Sequence, residues 1–248
     1  MHHRTTVALL LLISAALQPL GANATPSQII VLRHGEKQDA YRLCDVGVQR
    51  SLALAAQYLG KGAKQSLFAK GRAPDGFIAI TLHTLELISP AAQSWGKPVI
   101  LYSSLPMHGQ SDAQTAAILN RRTQEAARDV MTGAAWAGKT VVMVWEHHHI
   151  ADRHLEKQFT GEKVTLRQLL NLDGNKAVPE TSVPETSVPE TWHGSNFDYF
   201  WIVDYGKGSS RPARFEARKQ TFAAPFDKVP SNDWGTAPTY PDNSRCEK

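Results

Sequence analysis

Short apolar runs alternate with amphipathic segments along most of this chain, and this alternation limits the fold more than any other feature of the sequence. Strands are predicted at Gln28–Leu32, Phe77–Ile80, Val99–Leu101, Lys139–Trp145, Tyr199–Asp204 and, as an edge strand, Arg214–Phe222. Helices are predicted at Val48–Leu59, Thr84–Trp95, Asp112–Met131 and, as a short element, Val164–Leu170. This order predicts an α/β fold, a three-layer α/β/α sandwich with a largely parallel central sheet.

The first predicted helix has an apolar stripe at helical spacing, formed by Leu52, Ala55, Ala56 and Leu59. Gly60 and Gly62 follow it and are expected to end the helix. The spacing and the two glycines together predict a helix over Val48–Leu59.

Polar segments follow three of the predicted strands. Arg33–Glu36 follows the first strand, His83 the second, and Glu146–His149 the central one. Because functional sites in parallel sheets gather at the carboxyl ends of strands, these segments are expected to converge.

The first of these segments contains groups suited to phosphate chemistry. A neutral imidazole such as that of His34 is a competent nucleophile toward phosphorus, and Arg33 offers a planar pair of donors for phosphate oxygens. Gly35 lacks the Cβ that would crowd an anion. His147 is expected to lie near His34 and donate hydrogen bonds to the charge-rich transition state. The predicted catalytic residues are therefore His34, Arg33 and His147.

A run of histidines also permits a metal site, formed by His147–His149 together with His154. Consecutive residues point in different directions, and the chain has no HExxH motif or cysteine pair at zinc-site spacing. We therefore predict no built-in metal, and a histidine-rich metal-binding protein remains a rival interpretation.

At these residues the sequence resembles the histidine phosphatase superfamily, the phosphoglycerate mutase-like proteins, and in particular its small exported bacterial members. The resemblance covers nearly the whole mature chain. It is carried by LRHGEK, LCDVGVQRSLALAAQYL, PDGFIAITLHTLELISPAAQSWGKPV, GKTVVMVWEHHHI, and VPETW followed by FDYFWIVDY. The resemblance implies a phosphoglycerate mutase-like fold.

The resemblance also implies roles for individual residues. His34 would be phosphorylated in a covalent intermediate, with Arg33 and His147 binding the transferred phosphoryl group. His83 stands where the family usually has a second arginine, and His148 and His149 follow the second histidine where the family often has glycine. The predicted substrate-binding residues are Gly35, Glu36, His83 and His148. The general acid remains open among Glu36, Asp112, Glu86 and Glu146.

The N-terminal residues 1–24 are typical of a cleavable secretory signal. Arg4 precedes an apolar run that is too short to span a membrane comfortably, and small residues at Ala22 and Ala24 form the cleavage site. Residues 25–248 are then expected to form a single domain in the periplasm or outside the cell. Export would permit a disulfide between Cys44 and Cys246, although two unpaired thiols remain possible.

A tandem repeat interrupts the pattern at about residues 178–192, with the sequence VPETSVPETSVPETW. A tract this rich in Pro, Thr and Ser cannot build a core, so we expect a solvated loop. The formal net charge of +4 comes without a basic stripe, which excludes nucleic acid as a predicted partner.

Together these features predict an exported phosphomonoesterase that acts on a small phosphorylated substrate without a metal or organic cofactor. After signal cleavage no membrane contact is expected, and the oligomeric state is open. The alternative is a catalytically weak or inactive protein of the same fold that binds phosphate or another anion.

Overall fold

The computed structural model describes residues 25–105, 107–174, 177–178 and 187–247. The predicted signal peptide at 1–24 and residues 179–186 of the repeat tract lie outside the described residues. Within the described part of the chain, no helix combines the length and the apolar character needed to cross a membrane.

One sheet of six strands organises the structure, in the order β3-β2-β4-β1-β7-β8. The strands are β1 Gln28–Arg33, β2 Gly76–Ala79, β3 Val99–Leu101, β4 Thr140–Trp145, β7 Tyr199–Tyr205 and β8 Pro212–Lys219; a separate pair is formed by β5 Ala177–Val178 and β6 Val188–Pro189. The first four run parallel to one another, whereas β7 and β8 are antiparallel to their neighbours. The predicted, largely parallel sheet is confirmed.

Both faces of this sheet are covered, because successive strand residues point to opposite sides. In β1, Ile29 and Val31 belong to one apolar core, while Ile30 and Leu32 belong to the other. Continuous apolar runs in the central strands are the expected signature of a parallel sheet that is buried on both faces. The result is the predicted three-layer α/β/α sandwich.

The helices are α1 Asp45–Leu54, α2 Leu82–Ser94, α3 Asp112–Thr132, α4 His147–Ile150, α5 Arg153–Gln158 and α6 Leu166–Leu169. Helix α3 packs its Ala126 and Val130 into one core, whereas α2 packs Leu87 and Ile88 into the other. The predicted helix at Val164–Leu170 is present but shorter than expected.

The first predicted helix is present, as α1 followed by a π-helical turn at Ala55–Leu59, but its apolar stripe is only partly buried. Leu52 is 42% exposed, whereas Arg50 and Ser51 on the opposite side are buried. The reason is specific pairing: Arg50 binds Glu36, and the Ser51 hydroxyl donates to the Leu87 carbonyl oxygen. Buried polar groups with hydrogen-bond partners override simple apolar periodicity here.

The two cysteines form a disulfide that joins the start of α1 to the C-terminal end of the chain. The Cα atoms of Cys44 and Cys246 lie 5.0 Å apart. An ion pair between Asp45 and Arg245 lies beside the bridge. The C-terminal segment is therefore fixed against the start of α1.

Candidate active site

The predicted polar segments meet at one edge of the sheet. Strand β1 pairs in parallel with β4, and the register places Arg33 beside Trp145. The next backbone bond continues this alignment, since the His34 N–H donates to the Trp145 carbonyl oxygen at 3.0 Å. His34 and Glu146 therefore leave neighbouring strand ends together.

The His34 ring has a defined orientation. Its Nδ1 lies 2.7 Å from the Gly35 carbonyl oxygen, which can only accept, so Nδ1 carries the proton. The lone pair is therefore on Nε2, which lies 3.4 Å from Nδ1 of His147. Nε2 is the atom of this ring that is able to act as a nucleophile.

Arg33 lies directly against that nucleophilic nitrogen. Its Nη2 is 2.9 Å from His34 Nε2, and its Nη1 donates to the Gly194 carbonyl oxygen at 2.7 Å. The guanidinium also lies over the Phe197 ring, 3.9 Å from the ring centroid. Its Nε–H is buried and has no hydrogen-bond partner among the described residues. A buried donor without a partner favours an acceptor such as an anion nearby.

His83 and Glu146 form a close pair beside His34. His83 Nε2 lies 2.5 Å from Glu146 Oε1, and His83 Nδ1 faces the Ala40 carbonyl oxygen at 3.1 Å. Both ring nitrogens thus face acceptors, so the pair must hold a proton beyond the one that a neutral imidazole supplies. Thr81 also donates to Oε1, which leaves Oε2 facing His34 Nε2 at 3.6 Å. The pair of His83 and Glu146 therefore holds a proton close to His34 Nε2.

Burial sets the charge state of the site. Burial and the neighbouring Arg33 charge hold the pKa of His34 well below its usual range, and the same causes lower the pKa of His147. Burial lowers the pKa of Arg33 to about 9, so the guanidinium stays protonated at neutral pH. Burial raises the pKa of Glu146, but the hydrogen bond from His83 opposes this effect and the pKa lies well below the usual range. The imidazoles of His34 and His147 are therefore neutral beside the cationic guanidinium of Arg33.

Other predicted site residues lie elsewhere or act differently. Glu36 is buried in a two-pronged ion pair with Arg50, at 2.6 and 2.9 Å, and so its carboxylate is already fully engaged. A Cβ at Gly35 would meet Leu87 at 3.0 Å and Leu43 at 3.3 Å, so apolar packing explains this glycine. The sequence suggested that Gly35 lacks a side chain in order to make room for an anion. In the structure, close packing against Leu87 and Leu43 accounts for this glycine instead.

The two histidines after His147 have distinct environments. His148 is mostly exposed and pairs through Nδ1 with Asp152 Oδ2 at 2.5 Å, while its ring stacks on that of His147. His149 is buried and its Nε2 bonds to Asn120 Oδ1 at 2.8 Å, which ties this segment to α3. Burial lowers the pKa of His149 to about 4. His148 is at the rim of the site, and His149 is a packing residue.

The two remaining acid candidates, Glu86 and Asp112, are exposed. Glu86 is exposed on α2 and accepts from the Leu43 N–H at 2.8 Å. Asp112 is exposed in the first turn of α3. Of the four candidate acids, Glu146 has a carboxylate oxygen 3.6 Å from His34 Nε2.

A cavity of about 370 Å³ borders the pair of His83 and Glu146 on its Glu146 side. Its wall includes Asp112, Glu146, His148, Asp152, His154 and Leu155. Glu146 is the member of the buried cluster that lines this cavity, whereas His34 is 1% exposed.

Sequence reasoning missed Phe197 and the carbonyl groups that hold Arg33. Phe197 lies just before β7, and its ring centroid is 5.7 Å from that of His34. The start of an antiparallel strand lies at the same sheet edge as the carboxyl ends of its parallel neighbours. Recognising β7 as antiparallel would have directed attention to Phe197.

The fold and site together define an α/β sandwich with a buried His-Arg-Glu cluster at the carboxyl edge of its parallel strands. No protein-family model matches this chain, and no curated protein matches it. Among solved structures, it is similar to a mycobacterial glucosyl-3-phosphoglycerate phosphatase in complex with inorganic phosphate, at 14% identity, 81% coverage of this chain, 99% of that chain and a TM-score of 0.41. It is also similar to a protein named mycobacterial hydrolase 2, at 12% identity, 88% coverage of this chain, 94% of that chain and a TM-score of 0.36. These values assign the chain to no family, and its function has to be argued from the site.

Proposed function

We propose that this protein is a phosphomonoesterase in which His34 accepts the phosphoryl group. The observation that carries the proposal is the orientation of the His34 ring, whose Nδ1–H is held by Gly35 while Nε2 faces Arg33 and His147. Such a fixed tautomer beside a guanidinium suits in-line attack on a phosphate group.

The first half-reaction forms a phosphohistidine. His34 Nε2 attacks phosphorus, a bond from nitrogen to phosphorus forms, and the ester bond from phosphorus to the leaving oxygen breaks. Arg33 and His147 donate hydrogen bonds to the phosphoryl oxygens as negative charge develops on them. The pair of His83 and Glu146 gives its stored proton to the leaving oxygen, which departs as a neutral alcohol.

The second half-reaction restores the enzyme. Water attacks phosphorus, and the pair of His83 and Glu146 takes up the proton that the water loses. The bond from nitrogen to phosphorus breaks, releasing inorganic phosphate and neutral His34. No step uses a metal or organic cofactor, and Glu146 is assigned as the acid in the first step and the base in the second.

The test is hydrolysis of an aryl phosphate by residues 25–248 and by two variants, His34→Ala and the control His108→Ala, which removes an exposed histidine from the loop between β3 and α3. We expect chelator-resistant activity in the wild type and the control, and none in His34→Ala. The phosphohistidine is expected to hydrolyse in acid. The phosphoenzyme is therefore formed with labelled substrate and the reaction is quenched with alkali. A labelled adduct that persists in His34→Ala refutes the proposal.

A second candidate is an anion-binding protein without turnover, and one observation favours it. The buried Nε–H of Arg33 has no partner among the described residues and so offers a donor to an anion, whereas His34 is almost fully buried, which restricts attack on a phosphate ester. Inorganic phosphate that binds to folded wild-type protein, with no hydrolysis of aryl or alkyl phosphates, would support this function.

We further propose that the mature protein works in the periplasm or outside the cell. The disulfide between Cys44 and Cys246 supports this location, because disulfides persist in oxidising compartments. Mass spectrometry of protein from the exporting host is expected to show an N-terminus near Thr25. An intact Met1 in the purified protein would contradict cleavage.

A further inference from the structure

We propose that His34, Glu146 and His147 form an inhibitory binding site for one Zn²⁺ ion. Their ligand atoms, one from each residue, all lie within 4.8 Å of one another. The site differs from the run of His147–His149 with His154 that the sequence offered as a metal site. Binding of the ion does not depend on the proposed reaction, whereas its inhibitory effect rests on the proposed function.

The distances suit a tetrahedral ion. Zinc binds imidazole nitrogen and carboxylate oxygen at about 2.0–2.2 Å, which places neighbouring ligand atoms of a tetrahedron about 3.3–3.5 Å apart. His34 Nε2 lies 3.4 Å from His147 Nδ1 and 3.6 Å from Glu146 Oε2. Two of the three edges therefore already have nearly the length that zinc requires.

Hydrogen bonds from neighbouring residues also orient two of the proposed ligands, His34 and Glu146. The bond from His34 Nδ1–H to Gly35 leaves Nε2 with a free lone pair. His83 and Thr81 both bond to Glu146 Oε1, which directs Oε2 toward His34. Outer hydrogen bonds of this kind orient metal ligands and raise affinity. Three protein ligands leave a fourth position for water, as in open zinc sites.

Arg33 opposes the ion. Its Nη2–H points at the same His34 lone pair from 2.9 Å, so zinc has to displace that hydrogen bond and bear the adjacent positive charge. Glu146 is the proposed ligand that lines the neighbouring cavity, which also has His148 and His154 on its wall. Glu146 and Arg33 therefore have opposite effects on zinc affinity. Removal of the Glu146 charge is expected to weaken zinc binding, whereas removal of the Arg33 charge is expected to strengthen it.

The experiment is calorimetric titration of ZnCl₂ into untagged, metal-free residues 25–248 in the absence of substrate. We expect one ion per chain, at least about tenfold weaker binding in Glu146→Gln, and tighter binding in Arg33→Met. Glu86→Gln and His154→Ala are the matched controls, because Glu86 is exposed on α2 and His154 belongs to the cavity wall; both are expected to bind as the wild type does. Thermal melting checks that each variant is folded. If Arg33→Met is not folded, His147→Asn is used in its place, and it is expected to weaken zinc binding because it removes a ligand.

Binding that is lost in His154→Ala but kept in Glu146→Gln would move the ion to the cavity wall and overturn the proposal. Inhibition is measured separately, as zinc that competes with aryl phosphate and is reversed by chelator. An active enzyme that binds no zinc refutes this inference alone, whereas a zinc-binding protein with no hydrolysis refutes the proposed reaction alone.

Discussion

The assignment of Glu146 as the proton donor is tested by the substitution Glu146→Gln. The glutamine keeps the size of the side chain and an oxygen that accepts from Thr81, which now bonds Oε1 at 2.9 Å. It removes the charge that faces His34 Nε2 at 3.6 Å and the proton that is shared with His83. Proton transfer by a positioned group contributes about 10²–10⁴ in rate, or about 3–5 kcal/mol in activation free energy.

That loss depends on the leaving group. An alkyl phosphate releases a strongly basic alkoxide unless it is protonated, whereas a nitrophenyl phosphate releases a stable phenolate. We therefore expect kcat of Glu146→Gln to fall by about 10²–10⁴ for the alkyl substrate and by much less for the aryl substrate. KM is not expected to rise, because a carboxylate that would repel the phosphate dianion is gone.

The assay is steady-state hydrolysis of both substrates by the wild type, Glu146→Gln and the control Glu86→Gln. Glu86 is an exposed carboxylate that bonds to the Leu43 N–H, and its neutralisation is expected to leave both rates unchanged. Equal losses for the two substrates in Glu146→Gln would refute the assignment of Glu146 as the acid. A leaving-group effect in Glu86→Gln would transfer the role to Glu86.

Three further predictions follow from buried groups and the disulfide. Because the pKa of His34 lies well below its usual range, kcat/KM should not show the fall of about 25-fold between pH 7 and pH 5 that a histidine of pKa about 6.5 would give; a pH-rate profile checks this. Arg50→Met leaves the Glu36 carboxylate buried without its partner and should cost about 3–5 kcal/mol in urea unfolding, partly regained by adding Glu36→Gln; unchanged stability would refute the buried pairing. Replacing Cys44 and Cys246 by serine should cost about 2–5 kcal/mol in the same assay, and no loss would show that the bridge does not stabilise the fold.

The partner of Glu36 could not be predicted from the sequence. Its position two residues after His34 makes it a natural substrate contact or acid, but its carboxylate binds Arg50, which lies on α1. Nothing in a linear pattern distinguishes a carboxylate that faces a ligand from one that faces a buried guanidinium. The same pairing buries Arg50, although this residue lies outside the apolar stripe of α1.

The local pattern determined the strands, the helices and the sheet edge that collects His34, His83 and His147. Apolar runs and helical spacing are local properties, and parallel strands necessarily present their carboxyl ends together. The bond between His83 and Glu146 and the position of Phe197 over Arg33 were decided by tertiary structure alone. Both contacts join segments that are far apart in the chain, and their distances are set by how helices and loops pack around the sheet.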